Sequence, residues 1–334
     1  IITDRAFAAS LDPLVALRRS QGLAVEVVDV EDVYDEFSYG QKHPGSIKAF
    51  LDYARTSWST RPRFVILAGE ASYDPKDYFG VGASDLVPTR LVDTNLMEAA
   101  SDDWFADFDD DGLPELAVGR LPIRTVAEAA GLISKIVRYE TSRPSNAVTL
   151  VADLSDTTGF ASANAALAPL VPSGYVLTEI ERGQQDPATT KQQLVDAFNS
   201  GQTLLSYSGH GSVDLWRGLL LTGEDAQLLT NDDKLAVVVA MTCLNGYFFD
   251  PRLECLGEAL LEAKGGAAAV WASSGMTLPE DQFRLNASFF NLVFNANAPP
   301  LTLGQAATRA KASVTDVDVR RTWIFFGDPS MRMR

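Results

Sequence analysis

The chain has 334 residues, 46% of them hydrophobic, and a formal net charge of −16 at pH 7; this length allows a substantial core and commonly means two domains or subdomains. The strong negative charge argues against nucleic acid as a partner, because phosphate groups would be repelled. No run of about 18 apolar residues is present, so we expect no segment that spans a membrane.

The first 142 residues predict an α/β unit with a supporting role, because no candidate nucleophile follows its strands. Apolar residues at helical spacing over residues 6–21 precede a strand at 24–30, and a second helix at 46–57 precedes a strand at 63–68. This alternation predicts a parallel sheet with right-handed crossovers. His43 lies in a turn-rich loop, where we expect it to be solvated rather than catalytic.

Alternating carboxylates at residues 107–111 predict a calcium loop, because Gly112 follows where such a loop must turn sharply. The predicted ligands are the side chains of Asp107, Asp109, Asp111 and Glu115 and the backbone carbonyl of Leu113. The loop departs from an EF-hand at its twelfth position, which is Val118, so further ligands such as Asp102 or Asp103 would be needed. We expect bound Ca²⁺ to brace the connection to the next strand. The alternative is a solvated acidic turn.

A polar, proline-bearing joint at residues 142–146 is the best internal boundary. It separates a predicted N-terminal subdomain, residues 1–142, from a second subdomain, residues 146–334. A strand at 147–152 follows and ends at Asp153. A carboxylate at the end of this strand could hold a histidine in the correct tautomer. Asp153 and Asp156 both qualify, although Asp156 also suits a cap for the helix that begins near Ala161.

Two buried strands, residues 203–208 and 235–242, end just before His210 and Cys243. In open α/β sheets, ligand-binding and catalytic residues lie just beyond the carboxyl ends of the parallel strands. Both side chains are therefore predicted at this one rim of the sheet. A neighbouring imidazole can lower the pKa of a thiol and activate it as a nucleophile. Gly211 would admit a scissile carbonyl, and its N–H could join that of Cys243 in binding an oxyanion. The pattern predicts acyl transfer through a thioester.

Each of these residues alone is more often structural, since a cysteine after an apolar strand is commonly an inert buried thiol. The chain holds only two histidines, and one has glycine on both sides at the same rim as a cysteine. This combination favours catalysis. The second cysteine, Cys255, lies in an apolar helical pattern and is predicted to be core, so no disulfide framework is expected.

Motifs spread over the whole chain resemble the gingipain family of cysteine endopeptidases, whose catalytic domain has a caspase-like fold. The resemblance is carried by residues 118–120, 139–140, 208–212, 216, 243–248 (Cys-Leu-Asn-Gly-Tyr-Phe), 255–260 and 326–330 (Phe-Gly-Asp-Pro-Ser). It implies an α/β fold in which a parallel sheet is covered by helices as a caspase-like sandwich. The catalytic subdomain would be residues 146–334, beside the smaller N-terminal α/β subdomain.

The resemblance also implies roles for individual residues. Asp153 best matches the acidic residue that assists the family's histidine, with Asp156 as the alternative. Ser273 and Ser274 match a segment that runs beside the substrate backbone, which makes them candidate pocket-wall residues. Relatives that cleave after arginine carry an aspartate in the helix after the strand at 147–152. Residues 160–166 contain no carboxylate here, which puts basic specificity in doubt.

We therefore predict a secreted or cell-surface cysteine endopeptidase that acts on protein or peptide substrates. The displayed chain, which shows no signal peptide, is expected to be a trimmed or mature form with additional domains outside it. Release of the acyl group by an amine would instead make the protein a sortase-like transpeptidase of a secretion system. A non-catalytic, calcium-braced binding module is the competing class. A dinucleotide-binding enzyme is not expected, because no glycine-rich fingerprint follows the first strand.

Overall fold

The structure is a computed structural model that describes residues 1–82 and 85–334. Its strands are β1 (Ile2–Thr3), β2 (Val28–Asp29), β3 (Phe64–Ala68), β4 (Arg90–Asp93), β5 (Glu98–Ser101), β6 (Ala117–Leu121), β7 (Ala147–Ala152), β8 (Val176–Glu181), β9 (Leu204–Ser208), β10 (Ala236–Met241), β11 (Ala267–Ser273) and β12 (Trp323–Phe326). Its α-helices are α1 (Asp12–Ser20), α2 (Val30–Ser38), α3 (Pro44–Ser57), α4 (Val126–Thr141), α5 (Phe160–Leu167), α6 (Pro187–Ser200), α7 (Gly223–Gln227), α8 (Leu256–Glu262), α9 (Pro279–Val293), α10 (Leu303–Ala310) and α11 (Val317–Thr322).

Ten of these strands form one sheet in the order β2-β1-β3-β6-β12-β11-β10-β9-β7-β8, and β4 and β5 form a separate hairpin. The strands from β2 to β12 are mutually parallel, and so are those from β11 to β8. The antiparallel pair β11–β12 joins the two halves, which therefore run in opposite directions. The predicted α/β fold is confirmed, and its sheet is parallel as predicted except at the β11–β12 pair.

Helices cover both faces of the sheet, as alternation along β3 illustrates. Val65 and Leu67 face a smaller core shared with α2 and α3, whereas Ile66 and Ala68 face the main core. The sheet is thus buried on both sides, which explains why its central strands are apolar runs. No helix in the described part of the chain is long and apolar enough to cross a membrane.

The predicted boundary at residues 142–146 lies between α4 and β7, yet the sheet continues across the two parts. The last strand, β12, returns to the first part and pairs with β6 through Phe326 and Arg120. The main core likewise contains residues from both parts, from Phe7 to Met331. That residues 1–142 and 146–334 form separate subdomains remains a prediction.

Two predicted elements near the N-terminus differ in detail from the structure, and the exposed loop residue His43 caps a helix. The strand predicted at 24–30 is paired only over Val28–Asp29, because its neighbour β1 offers only Ile2 and Thr3 as partners. The helix predicted at 6–21 divides into a 3₁₀ segment, Arg5–Leu11, and α1, whose first turn contains a proline. His43 is exposed and caps α3, since its Nδ1 accepts a hydrogen bond from the Gly45 N–H at 3.0 Å.

Candidate active site

The histidine and the cysteine follow neighbouring parallel strands. In the register of β9 and β10, Ser208 pairs with Met241, and His210 and Cys243 each lie two residues beyond that pair. Both loops therefore leave the sheet at the same rim. The predicted adjacency of the two strands is present.

Asn245, which is fully buried, ties the cysteine loop to the histidine loop. Its Oδ1 accepts a hydrogen bond from Trp216 Nε1 at 2.8 Å, and its Nδ2 donates to the Ser212 carbonyl at 2.7 Å. Trp216 stacks on Tyr207 with ring centroids 4.1 Å apart, and the Tyr207 hydroxyl donates to the His210 carbonyl at 2.7 Å. A continuous set of buried contacts thus fixes one loop relative to the other.

Two different carboxylates hold His210. The backbone N–H of His210 donates to Asp153 Oδ2 at 3.0 Å, whereas its ring Nε2 lies 2.9 Å from Asp156 Oδ2. The edge of the ring packs on Phe160, with centroids 5.2 Å apart and an interplanar angle of 83°. The preferred assignment of Asp153 to the imidazole therefore disagrees with the geometry, which places the alternative, Asp156, on the ring.

Asp153 is unsuited to contact the imidazole because its oxygens are already occupied. Its Oδ1 accepts from Arg182 Nη1 and from the Leu154 N–H, the latter at 2.7 Å. Its Oδ2 accepts from the His210 N–H and forms an ion pair with Arg217 Nε at 2.7 Å. Asp153 therefore positions the backbone of His210.

Asp156 is well suited to orient an imidazole. The Thr158 N–H donates to its Oδ1 at 2.8 Å, and this bond, together with the contact to His210, lowers the pKa of Asp156 to about 2. The carboxylate is therefore ionised at neutral pH and can stabilise a protonated ring. Because Asp156 occupies Nε2, Nδ1 is the nitrogen left for proton transfer.

Cys243 is partly buried, and its thiol donates to the Thr277 carbonyl with an S···O distance of 3.6 Å. Burial raises the pKa of the Cys243 thiol, which is the opposite of the lowering expected from a neighbouring imidazole. In this conformation the thiol contacts Thr277 rather than the ring. A neutral thiol must lose its proton to a base as it attacks, so the site favours general-base activation over a resting ion pair.

The backbone around Cys243 leaves two donors for an oxyanion. Among the described residues, neither the Gly211 N–H nor the Cys243 N–H donates to another protein group. A Cβ at position 211 would lie 2.7 Å from Thr242 Oγ1, so this position requires glycine. Leu244 has a left-handed backbone with φ of 63°, a strained conformation of the kind that concentrates at functional sites.

Ser273 and Ser274 do not line an open pocket, contrary to their predicted role. Both are fully buried: Ser273 Oγ donates to the Gly275 carbonyl at 3.0 Å, and Ser274 Oγ donates to the Ala100 carbonyl at 2.6 Å. Two exposed apolar side chains, Met276 and Leu278, flank Thr277, whose carbonyl accepts from the thiol; they are 38% and 62% exposed. Their exposure depends on how the chain leaves β11, which the sequence pattern does not reveal.

The predicted calcium loop brings three of its carboxylates together. Oxygens of Asp107, Asp109 and Asp111 lie within 4.8 Å of one another, a set that suits a hard cation. Glu115 is not in this group, because its Oε2 accepts from the Phe108 N–H at 2.8 Å. Burial is the largest cause that raises the pKa of both Asp107 and Glu115. The three aspartates fit calcium, and the Leu113 carbonyl remains a predicted ligand.

Comparison with known proteins identifies the family. The model of peptidase family C25 matches residues 1–334. Gingipain R2 of Porphyromonas gingivalis is 29% identical over 162 residues, which are 45% of this chain and 22% of that protein. Lys-gingipain W83 of the same organism is 23% identical over 297 residues, which are 85% of this chain and 16% of that protein. The chain thus spans less than a quarter of either relative.

Solved structures share the fold. That of the Arg-specific cysteine proteinase gingipain R superposes with a TM-score of 0.83 at 20% identity, over 100% of this chain and 77% of the other. Dimeric latent PorU from Porphyromonas gingivalis gives a TM-score of 0.50 at 19% identity, over 99% of this chain and 30% of the other. With the family model matching throughout and the gingipain fold present, the chain belongs to peptidase family C25, the gingipain-like cysteine peptidases.

Proposed function

We propose that this chain is the catalytic part of a cysteine endopeptidase that hydrolyses peptide bonds of protein or peptide substrates through a thioester on Cys243. The observation that carries the proposal is the pairing of β9 with β10, which puts Cys243 at one rim with a histidine whose ring is held by an ionised carboxylate. Asp156 orients the ring, and Asp153 holds the backbone of His210.

The proposed cycle begins with rotation of the Cys243 side chain away from Thr277. Nδ1 of His210 accepts the thiol proton as Sγ attacks the scissile carbonyl, and the N–H groups of Gly211 and Cys243 bind the oxyanion. The C–N bond then breaks and His210 gives the proton to the leaving amine. His210 accepts a proton from water as that water attacks the thioester carbonyl. The C–S bond then breaks, the acid product leaves, and the protonated His210 returns the proton to the Cys243 thiolate.

The substrate side chain before the cleaved bond is proposed not to be basic. Residues 160–166 carry no carboxylate, and a buried cation without a counter-charge is costly. The exposed apolar side chains of Met276 and Leu278, on either side of the Thr277 that accepts from the thiol, favour an apolar substrate segment beside them.

The test is cleavage of a diverse peptide library, read by mass spectrometry, with Cys243→Ala and His210→Ala as controls. We expect cleavage by the native chain only, without enrichment of arginine or lysine before the cut. Addition of glycinamide separates hydrolysis from transpeptidation, because an amidated product reveals capture of the thioester by the amine. Absence of any cleavage beyond that of the Cys243→Ala control would favour a non-catalytic binding module.

We also propose that Asp107, Asp109 and Asp111 bind a structural Ca²⁺, with the Leu113 carbonyl as a further ligand. Glu115 is not proposed as one of the ligands. Close carboxylates repel one another, and a bound cation removes that repulsion. Calcium should raise the melting temperature of EDTA-treated protein, and Asp109→Asn should abolish the rise. Exposed Asp35→Asn is the control. An unchanged melting temperature with and without calcium would refute the site.

The proposed setting is a protein that is secreted or held at the cell surface and carries further domains. The proposal of further domains rests on the chain spanning only 22% and 16% of two related proteases, and the proposal of secretion rests on the likeness to gingipains. The net charge of −16 still argues against nucleic acid as a partner.

A further inference from the structure

Arg217 lies where the loops that hold the imidazole meet. Its backbone N–H donates to the His210 carbonyl at 2.9 Å, and its Nε forms the ion pair with Asp153 at 2.7 Å. Its Nη1 donates to Asp156 Oδ2 at 3.2 Å. That oxygen is the same one that lies 2.9 Å from His210 Nε2. One carboxylate oxygen is therefore shared between the imidazole and a guanidinium.

We propose that Arg217 is a positioning residue that acts on His210 through Asp156, because its guanidinium competes with the imidazole for one carboxylate oxygen and so weakens the hold of Asp156 on the protonated ring. The proposal rests on the proposed role of His210 as the proton carrier. No feature of the sequence pattern singled out Arg217, whose role depends on the folded positions of two aspartates.

The physical reason is competition for one negative charge. A carboxylate that contacts an imidazole favours its protonated form, whereas a guanidinium bound to the same oxygen offsets part of that effect. Asp156 does not depend on Arg217 for its position, because the Thr158 N–H holds its other oxygen. Loss of the Arg217 charge should therefore leave Asp156 in contact with the ring. The full negative charge of Asp156 would then favour the protonated form of the ring.

In the described part of the chain, the other charged and polar partners of His210 contact its backbone rather than its ring. Asp153 meets the backbone of His210 rather than the ring, and Arg182 pairs with that same aspartate. The Tyr207 hydroxyl bonds the His210 carbonyl, and α5 contributes the apolar ring of Phe160. Cys243 follows the adjacent strand. Asp156 and Arg217 are thus the charged pair through which the protonation of the ring is set.

Arg182 offers a matched control for Arg217. Among the described residues it pairs with Asp153 and not with Asp156. Its guanidinium packs over Gly218, where a Cβ would lie 2.2 Å from Nη2. Arg182→Met therefore removes a charge beside Asp153 while leaving the shared oxygen of Asp156 untouched.

The experiment follows the ring protons of His210 by NMR as pH is varied. The chain has only two histidines, so His43→Gln assigns the signals. In Arg217→Met we expect the titration midpoint of His210 to move upward by about half to one pH unit. Arg217→Lys should give a smaller upward move, and Arg182→Met should leave the midpoint in place. The acid limb of kcat/KM should move with the midpoint.

Coupling through Asp156 is tested in a second background. If Arg217 acts through Asp156, the effect of Arg217→Met on the His210 midpoint should vanish in Asp156→Asn protein. A midpoint that stays or falls in Arg217→Met, or an equal move in Arg182→Met, would overturn the proposal. Should Arg217→Met fail to fold, Arg217→Lys is used instead, and a His210 midpoint that stays or falls in that variant would overturn the proposal. The NMR readout needs no substrate, so a protein that cleaves no peptide would refute the proposed function without affecting this test.

Discussion

Asp153 and Asp156 are three residues apart and hold different parts of one histidine. Asp153 is buried, bonded to the His210 N–H, and paired with two arginines. Asp156 is partly exposed and contacts the ring. A buried carboxylate with two cationic partners contributes mainly to stability, because its removal leaves the partners uncompensated. A carboxylate that contacts a catalytic ring contributes mainly to rate.

Conservative amide substitutions should separate these two roles. Asp156→Asn should lower kcat/KM by about 10- to 100-fold with little change in melting temperature, because the ring loses its orienting charge. Asp153→Asn should destabilise the fold by about 3–5 kcal/mol, because Arg182 and Arg217 lose their shared counter-charge. Steady-state kinetics and urea denaturation of both variants provide the measurement. If Asp153→Asn mainly lowered kcat/KM and Asp156→Asn mainly lowered stability, Asp153 would be the residue that orients the ring.

The Cys243 thiol should be alkylated with a strongly alkaline pH dependence. Burial raises its pKa above that of an ordinary thiol, and the thiolate is the reactive form. With iodoacetamide, the rate for Cys243 should therefore continue to rise beyond pH 9. Cys255 is fully buried, and burial raises its pKa further, so it should stay unlabelled as the internal control. A rate that is already constant near pH 7 would show a preformed thiolate.

The sequence predicted the positions of His210 and Cys243 because each follows an apolar strand and a parallel sheet brings such ends together. It could not choose between Asp153 and Asp156, since both follow the same strand. The choice depends on Arg182 and Arg217, which come from distant segments and occupy Asp153. Ser273 and Ser274 were assigned wrongly to the pocket wall, because their burial depends on contacts with the β4–β5 hairpin and α11.

At the scale of elements, Asn245 joins the loops that follow β9 and β10. Asn245→Ala would leave the buried Trp216 Nε1–H without its acceptor. An unpaired buried donor costs about 1–3 kcal/mol, so we expect a loss of stability in that range together with reduced activity as the loops separate. Urea denaturation measures the first effect. Asn291→Ala on the exposed face of α9 is the control and should cost about 0.5 kcal/mol or less. If Asn245→Ala and Asn291→Ala lowered the free energy of unfolding equally, Asn245 would not bridge the two loops.

The central strands could be predicted because burial on both faces makes them continuous apolar runs. β8 lacks this signal, since it is an edge strand with only Ile180 fully buried. β2 is shorter than its apolar sequence suggests, because only Val28 and Asp29 pair with β1. Strand length is therefore set by neighbours that local sequence does not reveal.

At the scale of the whole molecule, the return of β12 to the centre of the sheet could not be predicted. Its sequence shows a strand but not that it separates β6 from β11, and this placement reverses the direction of half the sheet. It also brings residues from both predicted subdomains into one core. The same convergence gathers three carboxylates, Glu70, Glu258 and Glu262, around the single guanidinium of Arg124.

This cluster should make the stability of the whole molecule depend on pH. Burial, followed by the nearby charge of Glu254, raises the pKa of Glu262 from 4.5 to about 8, and burial also raises the pKa values of Glu70 and Glu258. The folded state therefore binds more protons than the unfolded state between those pH values. Stability conferred by the protonated group is present below about pH 4.5 and is lost as the pH rises through about 8.

We therefore expect the free energy of unfolding to fall by about 1–3 kcal/mol between pH 5 and pH 8.5, after allowance for partial solvent screening of Glu262. Urea denaturation across that range measures the slope. Glu262→Gln, which stays neutral at every pH, should flatten the dependence of unfolding free energy on pH. Glu280→Gln, at an exposed position of α9, should not. A stability that is constant or rises with pH over this interval would mean that Arg124 keeps all three carboxylates ionised, and the cluster would then be an ordinary ion-pair network.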